Sequence, residues 1–100
     1  MLTRTKAIQL LYEQRSYFAT EFGVRRIGLF GSYAKGQADD DSDVDIVVEF
    51  EHPIGFRFVE LVEYLESLLG REVDVLTPAG IHNIRSERVA SDIADSIVYV

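Results

Sequence analysis

The sequence predicts an α+β domain, a small mixed β-sheet with helices packed on one face. Three observations carry that reading. Apolar residues keep a helical period at the start of the chain, in its middle and towards its end. Short β-branched runs separate those segments. The resulting order of helix, strand, strand, helix, strand, helix places a crossover helix between the last two strands. One hundred residues with 47% hydrophobic content suffice for one modest core, and a single domain over 1–100 is expected.

From Leu2 to Phe22, the residues Ile8, Leu11, Tyr12, Phe18, Ala19 and Phe22 recur at helical spacing, and Gly23 supplies the stop. Arg25 to Phe30 reads as a strand with Ile27 and Leu29 on one face. Residues 31–42 then form a loop that is long for a hairpin, and such loops in compact domains are often functional. Asp43 to Glu51 is a second strand, rich in β-branched residues, which His52-Pro53-Ile54-Gly55 breaks off. Phe58, Leu61, Val62, Leu65, Leu68 and Leu69 trace the stripe of an amphipathic helix ending at Gly70. Glu72 to Thr77 is a third strand, Pro78-Ala79-Gly80 turns the chain, Ile81 to about Ser96 is helical, and Ile97 to Val100 is extended. The second and third strands, joined through a helix, should lie parallel with a right-handed crossover.

Composition excludes several classes. The net charge of −7 is unevenly placed: six Lys/Arg face two acids over residues 1–36, whereas four Arg face fifteen acids over 37–100. No net basic face is expected, and hence no general nucleic-acid binding. The acidic half suits cations or a basic protein partner, or simply water. There is no cysteine, so disulfides and thiolate metal sites are excluded. Arg4, Lys6, Glu13 and Arg15 interrupt the first apolar residues, which makes a signal peptide unexpected. No run approaches the roughly 18 to 20 apolar residues of a membrane span. A soluble, cytoplasmic protein without membrane association is expected.

The chemistry concentrates in "GLFGSYAKGQADDDSDVDIVVEF", residues 28–50, where five aspartates fall between Asp39 and Asp45. Strand side chains alternate, so Val44, Ile46, Val48 and Phe50 take the core face, and Asp43, Asp45, Val47 and Glu49 the other. Asp43 and Asp45 are then about 7 Å apart after two strand rises. Carboxylates that close repel and raise each other's pKa, a conflict that a divalent cation removes. All-oxygen ligation favours Mg²⁺, Mn²⁺ or Ca²⁺ over zinc. Glu49 shares the face but stands roughly 13 Å beyond Asp45 along the strand. Asp74, in "EVDVL", projects away from the core-facing Val73 and Val75. It reads either as an exposed edge residue or, if its strand neighbours the second, as a third carboxylate on the same patch. Asp39, Asp40 and Asp41 precede the strand and read as solvated loop charges.

Known nucleotide motifs narrow the choice. Gly31-Ser-Tyr-Ala-Lys-Gly36 has the glycine spacing of a P-loop, but Gln37-Ala38 stands where Lys-Ser/Thr is required. Counted from Asp39, an EF-hand would need Gly where Val44 stands and Glu where Phe50 stands. The dinucleotide fingerprint is absent too. What remains is a strand ending at Gly31-Ser32, where bare backbone and a hydroxyl can approach phosphate oxygens. An acidic pair on the next strand follows. These parts fit phosphoryl or nucleotidyl transfer.

The succession "GLFGSYAKG", "SDVDIVV" and "VDVL" resembles the minimal nucleotidyltransferases of the DNA polymerase β-like superfamily, over nearly the whole chain. The resemblance implies the polymerase β-like fold, with Gly31 and Ser32 holding the triphosphate of ATP. It implies that Asp43 and Asp45 bind two Mg²⁺ ions, with Asp74 the third carboxylate and the general base towards the incoming hydroxyl. Lys35 stands where relatives usually carry arginine; it keeps the charge without the bidentate fork, and reads equally as a phosphate ligand or a solvated lysine. Larger relatives carry helical acceptor domains that this sequence lacks, so a surface completed by another protein is expected. Stand-alone members resembling it are often antitoxins paired with a HEPN-domain ribonuclease toxin, transferring AMP to a toxin tyrosine. Two alternatives stand beside that reading: neutralisation of a partner by contact alone, and the catalytic subunit of a two-chain small-molecule nucleotidyltransferase.

Other polar residues carry weaker signals. His52 and His82 read as surface residues, and Tyr12, Tyr17 and Tyr64 as core or interface. Arg25 and Arg26 either approach the nucleotide or, by default, are solvated. Tyr33 either packs near a base or closes the loop.

Overall fold

In the computed structural model, which describes residues 2–84 and 86–100, the first long helix is divided. Helices α1 (Arg4–Glu13) and α2 (Arg15–Phe22) meet at Gln14, whose ψ of 7° interrupts the helical path. No glycine or proline marks this point. The Tyr64 hydroxyl donates to Gln14 Oε1 at 3.1 Å, so a tertiary contact holds the joint. Thr3 caps α1, its hydroxyl accepting from the Lys6 amide. Gly23, at φ 64°, ends α2 in the left-handed conformation expected of it.

Strand β1 (Val24–Phe30) runs into a short helix α3 (Gly31–Ala34), so the long loop opens with a helical turn. Strand β2 (Val44–Phe50), helix α4 (Arg57–Leu69) and strand β3 (Val73–Leu76) form the expected parallel crossover unit. The remaining segment departs from a single helix over 81–96. Pro78 begins a short helix α5 (Pro78–His82), capped by Thr77, where its missing N–H costs nothing. Helix α6 (Glu87–Ser96) starts afresh with Ser86 as cap, and Arg85 between them lies outside the described residues. Strand β4 (Val98–Tyr99) closes the chain.

The sheet order is β3-β2-β1-β4, with β1 antiparallel to both β2 and β4 and β2 parallel to β3. The mixed sheet therefore follows the expected class. Its main core lies on one face, where α1, α2 and α4 supply Ala7, Leu11, Phe18, Leu61 and Leu65 against Ile27, Leu29, Val44, Ile46 and Val48. A smaller cluster covers part of the other face, with Ile81, Ile93 and Ile97 over Phe30, Val47 and Leu76. The C-terminal helices thus add a second, partial layer. It explains why Val47, on the acid-bearing face, is fully buried. Gly28 lets β4 approach closely: a Cβ there would stand 2.7 Å from the Val98 carbonyl oxygen. No helix among the described residues is long and apolar enough to cross a membrane.

Candidate active site

Alternation along β2 turns Val44, Ile46 and Val48 into the core and leaves Asp45 on the opposite face. In the ladders, Asp45 has Phe30 as partner on β1 and Asp74 as partner on β3. The two carboxylates therefore stand side by side on adjacent strands. Asp45 is half-buried, whereas Asp74 and Asp43 are exposed. Burial pushes the Asp45 carboxyl above its ordinary value of 3.8, and the neighbouring charges of Asp74 and then Asp43 push the same way.

The glycine after β1 completes the contact. Gly31 has φ 68°, a conformation that disfavours any residue with a Cβ. A Cβ there would overlap Asp45 Oδ2. Two independent requirements thus select glycine: the backbone turn from β1 into α3, and the space taken by the carboxylate. Ser32, half-buried, follows in the first turn of α3. The 31–37 segment is tied together by Lys35 N–H to Gly31 O at 3.1 Å, Gly36 N–H to Tyr33 O at 3.2 Å and Gln37 N–H to Ser32 O at 2.9 Å. Glycine leaves the main chain bare at this turn with the Ser32 hydroxyl next to it, so an oxygen ligand can approach the backbone there.

The sequence profile described as the nucleotidyltransferase domain matches residues 11–100. The chain belongs to the nucleotidyltransferase family. The protein adenylyltransferase MntA of Thermococcus cleftensis is 42% identical over 101 residues, spanning 100% of this chain and 98% of that one. A solved structure described as a candidate minimal nucleotidyltransferase superposes with a TM-score of 0.66 at 28% identity, over 95% of this chain and 89% of that one. The crystal structure of a toxin–antitoxin with AMP-PNP gives 0.63 at 25% identity, over 98% of this chain and 72% of that one. The protein is a nucleotidyltransferase with the fold that its sequence resembles.

Within this nucleotidyltransferase the expected site residues are distributed as follows. Asp45, Asp74 and Gly31 are brought together directly, and Asp43 lies one residue before β2. Lys35 is exposed at the C-terminal end of α3. Among the described residues, no three His, Asp or Glu side chains are gathered closely enough to enclose a metal ion by themselves. Asp39, Asp40 and Asp41 are exposed loop residues, as expected. They form a local turn in which the Asp39 amide donates to Ser42 Oγ at 3.0 Å and the Asp41 amide to Asp39 Oδ1 at 2.9 Å.

Residues with weaker signals fall into place. Tyr33 is buried in the main core, beneath the loop, and its hydroxyl has no hydrogen-bond partner among the described residues. Arg26 pairs with Glu49 at 2.7 Å and Arg25 with Glu51 at 3.1 Å, so both cations are engaged at the far end of the β1–β2 ladder. His52 and His82 are exposed. Tyr17 stacks on Tyr64 with ring centroids 4.8 Å apart.

Two arginines that the motif reading passed over hold the site's loop from outside. Arg4 donates from Nε to the Ala34 carbonyl at 2.9 Å, at the end of α3. Arg71, just past the Gly70 cap of α4, donates from Nε and Nη2 to the Ser42 carbonyl at 3.1 and 2.8 Å. Neither contact has a sequence signature, because both acceptors are backbone oxygens far away in the chain.

Proposed function

We propose that this single-domain nucleotidyltransferase is the antitoxin of a cytoplasmic toxin–antitoxin pair, transferring AMP from ATP to a tyrosine of a partner HEPN ribonuclease toxin. The observation that carries the chemistry is the Asp45–Asp74 register pair set against Gly31. The protein-acceptor reading is supported by 42% identity to a protein adenylyltransferase along the full chain. Fold likeness to a toxin–antitoxin holding an ATP analogue supports the choice of partner and nucleotide.

In this reading Gly31, Ser32 and Lys35 hold the triphosphate. The tyrosine oxygen bonds to the α-phosphorus as the bond from that phosphorus to the bridging oxygen of the β-phosphate breaks. Pyrophosphate leaves, and the phenolic proton passes to Asp74. Asp45, half-buried under Gly31, fixes the geometry, and Asp43 extends the negative patch towards the loop.

Asp43, Asp45 and Asp74 would also hold Mg²⁺. The donor set fits: all are hard carboxylate oxygens, and a cation would offset both the burial and the repulsion from Asp74 and Asp43 that raise the Asp45 pKa. Asp45 and Asp74 already stand side by side, and two carboxylates suit Mg²⁺, which commonly takes one or two and completes its sphere with water and substrate phosphate. When bound, Mg²⁺ supplies charge neutralisation at the phosphates.

The test is intact-mass analysis of the protein encoded beside this one, after incubation with the nucleotidyltransferase, ATP and Mg²⁺. A gain of whole AMP residues, mapped to a tyrosine, is expected. An unmodified partner that is nevertheless neutralised would establish inhibition by contact alone.

A further inference from the structure

The acidic loop presents a physical difficulty. Asp39, Asp40, Asp41 and Asp43 repel one another, and the local bonds among Asp39, Asp41 and Ser42 shape a turn without attaching it to the sheet. Ala38 packs on the core at the start of the loop, and the hydrogen bonds that attach its acidic end come from one short segment. Arg71, half-buried, donates from Nε and Nη2 to the Ser42 carbonyl, and from Nη2 also to the Asp40 carbonyl. The next residue continues the clamp, with Glu72 O accepting from the Val44 amide at 3.0 Å. The backbone is thus gripped on both sides of Asp43. Arg71 makes no ion pair among the described residues, although aspartates surround its acceptors. Its donors go to main-chain oxygens, which fixes where the chain lies and leaves the carboxylates free.

We infer that Arg71 is a positioning residue: by clamping the carbonyls of Asp40 and Ser42 it aims Asp43 at the Asp45–Asp74 pair and so sets divalent-cation affinity. The inference rests on the reading of those three aspartates as the cation site. The fork of the guanidinium is essential to it. Two divergent carbonyls need donors fixed in one plane, which a lysine ammonium on a flexible stem does not provide.

Position and charge make opposite predictions. If Arg71 were only a nearby cation, removing it would lower the local positive potential and tighten binding of a divalent ion. If it positions Asp43, removing it weakens binding, as loss of the groups that orient metal ligands commonly does, by about tenfold or more.

The experiment titrates Mn²⁺ into the full chain, following free Mn²⁺ by electron paramagnetic resonance, with thermal unfolding recorded in parallel. Arg71→Gln, Arg71→Lys and Asp45→Asn are compared with the wild type. Arg71→Gln should weaken Mn²⁺ binding about tenfold, and Arg71→Lys should fall between it and the wild type at unchanged net charge. Should Arg71→Gln fail to fold, the lysine variant decides alone, since it keeps the charge and loses the fork. Unchanged or tighter Mn²⁺ binding in the folded Arg71 variants, with binding lost in Asp45→Asn, overturns the role of Arg71 and leaves the site reading intact. Wild-type affinity in Asp45→Asn overturns the site reading itself, and this inference with it.

Discussion

Asp45 on β2 and Asp74 on β3 are register partners in a parallel ladder, two carboxylates side by side with a glycine pressed against the first. Like charges directly opposite each other in a sheet are destabilising, and partial burial of Asp45 adds to the cost. A fold under no other demand would place a neutral or cationic residue at either position. The pair is intelligible as a site that holds a cation and phosphates, and its cost can be measured.

Asp45→Asn should stabilise the ligand-free protein at neutral pH. The folded-state pKa of Asp45 lies above its unfolded value, so the unfavourable contribution is absent below about pH 3.8 and grows as pH rises through the folded value. The gain should be small, roughly 2 °C in Tm, because the carboxylate still faces solvent. It should vanish in acid. Millimolar Mg²⁺ should raise the Tm of the wild type and leave the variant unmoved. Differential scanning calorimetry across pH, with and without Mg²⁺, checks both.

Gly31→Ala should harm stability and function together. The left-handed φ alone disfavours alanine by about 1 to 2 kcal/mol. The added Cβ also displaces the Asp45 carboxylate, and a displacement of that kind in a reacting site costs on the order of a hundredfold in rate. Urea unfolding and nucleotidyl transfer on one preparation separate the two losses.

Asp74→Asn should spare nucleotide binding and reduce turnover. A lost general base typically costs about 10²- to 10⁴-fold. Calorimetric titration with a non-hydrolysable ATP analogue beside steady-state transfer would show kcat falling while the analogue's Kd holds. A parallel loss of binding would mean that the cation held with the help of Asp74, rather than its acceptance of the proton, dominates its contribution.

Glu49→Gln provides the contrast. Glu49 lies on the same face of β2, but Arg26 and Arg25 engage it and hold its pKa below the ordinary value. Nucleotidyl transfer should be unchanged in this variant. A loss comparable to that of Asp45→Asn would mean that the active patch extends along the strand.

The parts of this protein that follow local rules were legible in its sequence. Alternation in "SDVDIVV" separated Asp45 from the core, and the polar residue in "VDVL" separated Asp74, because a strand's period of two is insensitive to its surroundings. Gly23 and Gly70 marked helix ends through their left-handed φ. The break at Gln14 was not legible, since the contact that holds it comes from Tyr64, distant in the chain. Pro78 read as a turn because proline serves equally as a first helical residue. The partial layer formed by α5 and α6 over Val47 was hidden by a period too irregular to assign a face. Arg71 was invisible for a deeper reason: its acceptors are carbonyl oxygens, which every residue has.

The most direct measurement of the central claim is incorporation of α-labelled ATP into the partner protein, comparing wild type with Asp45→Asn at equal folded concentration. The account predicts label on a partner tyrosine with the wild type, pyrophosphate released in equal amount, and loss of both with the variant. Label transferred equally by Asp45→Asn, or a partner neutralised by the wild type without label, would contradict it.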